Sequence, residues 1–187
     1  SELYPIRSFW SPQLIAPDQR GRPLQRWLAL LEARGTLRRG PRQLCGASQR
    51  FGEARVDLLA PCPDVEMGAN INDNSLVMRI RFGAQTALFM GDAEANEERR
   101  LLDQHEDLRS DFLKVGHHGS RTSSTQALLN AVRPRHAVVS CGARNRFGHP
   151  HPQTLRALSS VPTWRTDRWG AVLWQSNGHR AQWRPAR

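Results

Sequence analysis

Two rhythms of apolar residues run through this chain, and each predicts a different kind of element. Between residues 23 and 34 apolar side chains fall at 24, 27, 28, 30 and 31, a helical spacing, and Gly35 stands where a helix would end. Residues 38–50 are basic and contain Gly and Pro, and they read as a loop leading to a strand at 49–51. The run 56–60 is a strand that stops at Pro61-Cys62-Pro63. From residue 75 the period shortens to two. Leu76, Met78, Ile80 and Phe82 alternate with Val77, Arg79 and Arg81, the pattern of a half-buried strand. After a turn at 83–85, residues 86–90 make a second strand that ends at Gly91-Asp92.

The remainder alternates. Helices are expected at 93–107, 125–132 and 154–160, and strands at 112–115, 137–141, 162–165 and 170–175. Thr166-Asp167-Arg168-Trp169 joins the last two strands as a closing hairpin, and 178–187 reads as an Arg-rich tail. Strands alternating with helices predict a layered α/β domain.

Composition sharpens this picture in three ways. At 187 residues and 39% hydrophobic content the chain suits one domain with a real core, which excludes wholesale disorder. No apolar run approaches the roughly 20 residues that span a bilayer, and the N-terminal decapeptide has no signal-peptide pattern. Cys45, Cys62 and Cys141 form no CxxC pair, so neither a disulfide framework nor a thiolate zinc site is expected.

Charge adds a candidate partner. There are 27 basic against 17 acidic residues, a net charge of +10, and all the basic residues except Lys114 are arginines. Guanidinium forks pair bidentately with phosphate, so the balance fits a nucleic-acid partner. Codon bias toward arginine is the other reading of the same numbers, and composition does not choose between them.

The candidate chemistry is not scattered. Asp92 follows one apolar strand, His117, His118 and Ser120 follow the next, and Asn145, His149 and His151 lie in the loop after the third. Consecutive strand ends of an open α/β sheet bring such loops together along one rim, where ligands bind. One carboxylate and two or three imidazoles are the donor types of a divalent-metal site. His105, His136 and His179 stand outside the pattern and read as surface or edge residues.

The ordered series carries more than its parts. Asn72-Asp73-Asn74-Ser75-Leu76-Val77, Met90-Gly91-Asp92-Ala93-Glu94, Lys114-Val115-Gly116-His117-His118-Gly119-Ser120 and Asn145-Arg146-Phe147-Gly148-His149-Pro150 resemble the metallo-β-lactamase-like domain of the ComEC DNA-internalisation proteins. The resemblance implies an αββα sandwich of the metallo-β-lactamase type, of which this chain carries the C-terminal two-thirds as a single domain over 1–187, incomplete at its N-terminal side. It implies two divalent ions, Zn or Mn, and metal-assisted phosphodiester hydrolysis of DNA during uptake. Asp92 matches the carboxylate bridging the metals, His118 (with His117 as the other member of the pair) the late metal histidine, and His149 a metal or phosphate contact. Asn72, Lys114, Ser120 and Asn145 match substrate-facing positions, and Arg144 and Arg146 beside them are candidates for phosphate. The implied partners are single-stranded DNA and a fused or associated membrane channel. The implied location is outside the inner membrane for a ComEC part, and cytoplasmic for a stand-alone relative.

One departure is large. The family's His-x-His-x-Asp-His signature is absent: the first histidine here is His105, and the opening residues 5–10 look like the strand that follows the signature. Asp92 and His118 alone are too few for two metals. The rivals are therefore a non-catalytic nucleic-acid-binding relative and a small-ester hydrolase of the same superfamily.

Overall fold

A computed structural model describes residues 6–12 and 22–186. The expectations for Pro5 and for the Leu24 side chain lie outside these. Among the described residues, seven strands form one sheet in sequential order: β3 (Gln49–Phe51), β4 (Ala54–Ala60), β5 (Val77–Phe82), β6 (Gln85–Phe89), β7 (Phe112–Lys114), β8 (His136–Val139) and β9 (Thr163–Arg165). The first three pairings are antiparallel and the last three parallel. The change comes where connections made of turns and one long loop give way to connections that carry helices. β6 and β7 are joined through α3 (Ala95–Gln104), β7 and β8 through α4 (Gln126–Val132), and β8 and β9 through α5 (Pro152–Ala157).

Alternation along the strands sorts two cores. Leu88, Leu113, Ala137 and Val139 point to the helical face, where they pack with Leu101, Leu128, Val132 and Leu158. Ala87, Phe112 and Val138 point to the other face, against Trp164, Trp174 and Trp183. The cover on that side is an antiparallel hairpin of β10 (Val172–Ser176) and β11 (Ala181–Pro185). Helices, a large sheet and a second small β layer make this a mixed α/β structure.

Three expectations are corrected. β9 does not pair with β10: Thr166–Trp169 is a short helix that carries the chain from the main sheet to the separate hairpin. The supposed tail holds β11, because Ala181, Trp183 and Pro185 alternate with exposed residues and so have one face to bury. The expected loop at 38–50 contains β2 (Leu37–Arg39), which pairs in parallel with β1 (Ser8–Trp10), and one turn of helix, α2 (Pro41–Leu44). The helix at 23–34 is present as α1 (Arg22–Ala33), and Gly35 beyond it takes φ +71°.

The cysteine reading is also corrected. Cys45 and Cys62 form a disulfide with 5.7 Å between their Cα atoms, clipping the end of α2 to the segment after β4. Spacing concealed it, because Cys45 is brought beside β4 by a bridge to Leu58 rather than by any local motif. Closing a loop of 17 residues restricts the unfolded chain by about 3 kcal/mol. Reduction with dithiothreitol should therefore lower the melting temperature by roughly 6–12 °C, and Cys45→Ser should match it without reductant. An unchanged melting temperature in both would show that the clip adds nothing to stability.

Candidate functional site

The C-terminal ends of β6, β7 and β8 share one rim, and a cleft of about 340 Å³ opens there. Asp92, His117, His118, Asn145 and His149 line it, together with Cys141, Gly142 and Phe147, which the sequence did not single out as candidate site residues.

The loop after β7 is held in an unusual backbone. His117 (φ 43°), His118 (φ 55°) and Gly119 (φ +82°) are all left-handed, a conformation costing roughly 1–2 kcal/mol for each histidine. Such strain survives only when the surroundings impose it. Here the His117 N–H donates to the Gly91 carbonyl (3.0 Å), the Ser120 N–H to the His117 carbonyl (2.9 Å), and the His151 N–H to the Gly119 carbonyl (2.9 Å). Thr154 Oγ1 donates to the Ser120 carbonyl at 2.8 Å. Gly91 itself sits at φ +57°, where a Cβ would lie 2.9 Å from Ser75 Cβ.

His118 is oriented by its own far nitrogen. Nδ1 lies 2.6 Å from the Ser140 carbonyl, and since a carbonyl only accepts, Nδ1 carries the proton. Nε2 therefore faces Asp92 Oδ1 at 3.5 Å with its lone pair, or with a second proton when the ring is charged. A ring nitrogen fixed on a backbone carbonyl with its partner nitrogen presented is how metal-binding histidines are held.

His117 points elsewhere. Its Nδ1 is 2.9 Å from Glu94 Oε1, an ion pair when the ring is protonated, but outside hydrogen-bond alignment. Glu94 also accepts from the side-chain amides of Asn70 (3.2 Å) and Asn72 (3.1 Å). It is free to do so because it does not cap α3 with its side chain. Asp73, 1% exposed, caps that helix from another loop by accepting the N–H groups of Glu94 and Glu97. Glu94 and Asp73 are thus part of the site's support, and only their place in the Gly91-Asp92 and Asn72-Asp73-Asn74 strings could have drawn attention to them.

His149 completes the imidazole group, with its ring centre 5.6 Å from His117 and 6.4 Å from His118. Burial, then the nearby His151, His117 and His118 rings, push its pKa down, while Asp92 acts in the opposite sense.

Four expected substrate-facing residues are otherwise engaged. The Asn72 amide is committed to Glu94. Ser120 is buried, with its hydroxyl hydrogen-bonded to Thr122 Oγ1. Lys114 donates to the Val115 carbonyl (3.0 Å), and burial lowers its pKa against the charge of Asp92. Asn145 lines the cleft but spends its amide on the loop, donating to the Gly142 and His149 carbonyls and accepting the His149 N–H. Arg144 and Arg146 are exposed on that same loop, Arg146 lying 5.0 Å over the Phe147 ring.

Whether these residues suit a metal turns on the donor count. A separation of 3.5 Å between Asp92 Oδ1 and His118 Nε2 matches two ligand atoms each roughly 2.1 Å from a shared ion. Yet among the described residues no group of three or more His, Cys, Asp or Glu side chains is placed to hold an ion, and a catalytic ion takes about three protein ligands. The described residues do not make up a two-metal centre.

The metallo-beta-lactamase superfamily model matches residues 6–143. The chain is 32% identical to ComE operon protein 3 of Bacillus subtilis over 115 residues, 60% of this chain and 15% of that protein. It is 34% identical to competence protein ComA of Neisseria gonorrhoeae over 129 residues, 67% of this chain and 19% of that one. It is also 39% identical to recombination protein 2 of Haemophilus influenzae over 90 residues, 46% and 11% respectively. The chain thus spans less than a fifth of the length of these relatives. With its helix-backed sheet, its strand-end cleft and a family match over residues 6–143, the chain belongs to the metallo-β-lactamase superfamily, and it is similar to these competence proteins.

Proposed function

We propose that residues 1–187 form one metallo-β-lactamase-like domain whose cleft engages the phosphodiester backbone of DNA during its uptake, as part of a ComEC-type nuclease. The observation that carries this is the Asp92–His118 pair, one ring nitrogen fixed on Ser140 and the other turned to the carboxylate, beside a loop bearing Arg144 and Arg146. In this reading the arginines hold phosphate oxygens, Phe147 and His149 bound the strand laterally, and Asp92 with His118 offers two ligands to a divalent ion. The further ligands come from outside the described residues. The net charge of +10 favours a polyanion over a small neutral ester. The Cys45–Cys62 disulfide favours an oxidising compartment, outside the inner membrane, over the cytosol.

The second reading, a nucleic-acid-binding relative without catalysis, is favoured by the absence of a three-ligand group among the described residues. Both readings require DNA to bind here. Affinity for a single-stranded oligonucleotide should fall steeply with salt, and replacing Arg144 and Arg146 together by Gln should reduce the log–log slope by about 1.4, at about 0.7 per phosphate contact. A flat salt dependence, or an unchanged slope in the double variant, would remove DNA from this cleft. Adding Mn or Zn then separates the two readings. Cleavage above background supports the nuclease, and binding without cleavage under any ligand completion supports the relative.

A further inference from the structure

At the opposite rim, where β6, β7 and β8 begin, a second pocket of about 300 Å³ opens between the sheet and the β10–β11 hairpin. Asp111, Arg135, His136, Trp174, Arg180 and Trp183 are among its walls. Its aromatic side is built from the protein's own packing. Trp174 stacks on Phe112 (ring centres 5.4 Å apart) and on Trp183 (5.7 Å), and Trp183 meets the His136 ring at 5.2 Å. The rim is tied down as well. Gln85 Nε2 donates to the His179 carbonyl at 3.2 Å, and the Ala84 N–H donates to the Gly178 carbonyl at 2.6 Å.

The polar groups of this pocket do not balance. Asp111, its carboxylate, is already engaged: Oδ2 accepts the N–H and the hydroxyl of Thr86, both at 2.9 Å, and Oδ1 lies 3.5 Å from Arg135 Nε. Arg180 has no acidic partner among the described residues. Trp174 Nε1 and His136 Nδ1 are buried with no hydrogen-bond partner. Buried indole N–H groups are nearly always paired, so an unpaired one in the wall, beside an exposed Arg180 with no acidic partner and an Arg135 that shares Asp111 with Thr86, leaves this pocket with more donors than acceptors. Phosphate oxygens are acceptors only, and an indole beside them is a platform for a base.

We propose that this pocket is a second nucleic-acid contact that seats one nucleotide of a single strand, with the phosphate facing Arg135 and Arg180 and the base against Trp183. The assignment stands on the pocket's own residues and does not depend on the cleft. Strands of three to five residues separate the two rims, a rise of about 10–17 Å, so one short strand reaches both.

Titrating the full chain with a short oligothymidylate, following tryptophan emission and, separately, the anisotropy of a labelled strand, tests the proposal. Emission should be quenched saturably, and Trp183→Phe, which keeps an aromatic packing group, should lose most of that quench. Arg135→Gln with Arg180→Gln should weaken binding several-fold and lower the log–log salt slope by about 0.7, one phosphate. Both arginines are exposed, so the fold is not at risk. The Arg144→Gln/Arg146→Gln variant should retain the quench. Unchanged affinity and slope in the Arg135/Arg180 variant, or strand binding with no emission change, would overturn the proposal. Binding abolished by the Arg144/Arg146 variant alone would sustain the cleft and overturn this pocket, and the reverse pattern would do the opposite.

Discussion

Gly119→Ala should destabilise the domain by about 3 kcal/mol, a fall of roughly 6–12 °C in melting temperature for a chain of this size. Two effects add. Gly119 sits at φ +82°, where an L side chain is strained, and its Cβ would lie 2.7 Å from Pro150 Cβ and 3.1 Å from Val139 Cγ1. Neither neighbour can withdraw. Val139 belongs to β8, paired on both sides by β7 and β9, and Pro150 anchors the loop that brings His149 to the cleft. The substitution therefore pushes the His117-His118 turn away from the His149 loop as well as weakening the fold. Gly142→Ala is the matched control in the same cleft, with nothing nearer its Cβ than Asn145 Cβ at 3.9 Å and an ordinary backbone, and it should stay within about 0.5 kcal/mol of the parent. Thermal unfolding of the three proteins by circular dichroism decides the matter. Equal melting temperatures for Gly119→Ala and the parent would mean that the His117-His118 turn is far more yielding than its hydrogen bonds indicate.

Removing either member of the Asp92–His118 pair should cost divalent-ion binding at least ten-fold, and with it any phosphodiester cleavage. The parent chain should itself bind Mn or Zn weakly, since two converging ligands fall short of the usual three. Asp92→Asn keeps the shape and removes the charge, while His118→Ala removes the nitrogen facing it. His117→Ala should do much less, because the His117 ring is directed at Glu94. Single-stranded DNA binding should persist in Asp92→Asn, where loss of a negative charge does not repel phosphate. Calorimetric titration with Mn, followed by oligonucleotide binding without metal, reads both quantities. If His117→Ala is the variant that loses the ion and His118→Ala retains it, the roles within the pair are reversed. Tight stoichiometric metal in the parent would mean that the ligands lie elsewhere.

The fold was legible wherever side chains alternate between a core and something different. Leu88, Leu113 and Val139 announce their strands because each lies beside a residue facing the opposite layer, α4 announces itself by the apolar positions Leu128, Leu129 and Val132, and α3 by its content of the helix formers Glu, Arg and Leu. The strand at 181–185 escaped because its outward positions, Gln182 and Arg184, are polar in a segment already rich in arginine. The site was legible as a set of strand-end residues, since Asp92, His118 and His149 do converge. Their supporting groups were not, because Asp73 and the Ser140 carbonyl act across 21 and 22 residues of sequence, through the fold.

Local composition and periodicity determined most of the elements between residues 49 and 165, the alternation of strands with helices, the basic character and the short list of chemically able residues. These are properties of neighbours along the chain, so the chain displays them directly. Tertiary structure alone decided what those residues are free to do. Lys114, Ser120, Asn72 and Asn145 looked available and are engaged by a carbonyl, a hydroxyl, a carboxylate and a loop, since a polar group taken from water must find its partner wherever the packing supplies one. Cys45 and Cys62 looked unrelated and are bonded, because α2 is carried to the end of β4. His136 and Arg180 looked incidental and border one pocket, because a hairpin at the far end of the chain closes over the start of three strands. Such pairings depend on separation in space, which no local pattern records.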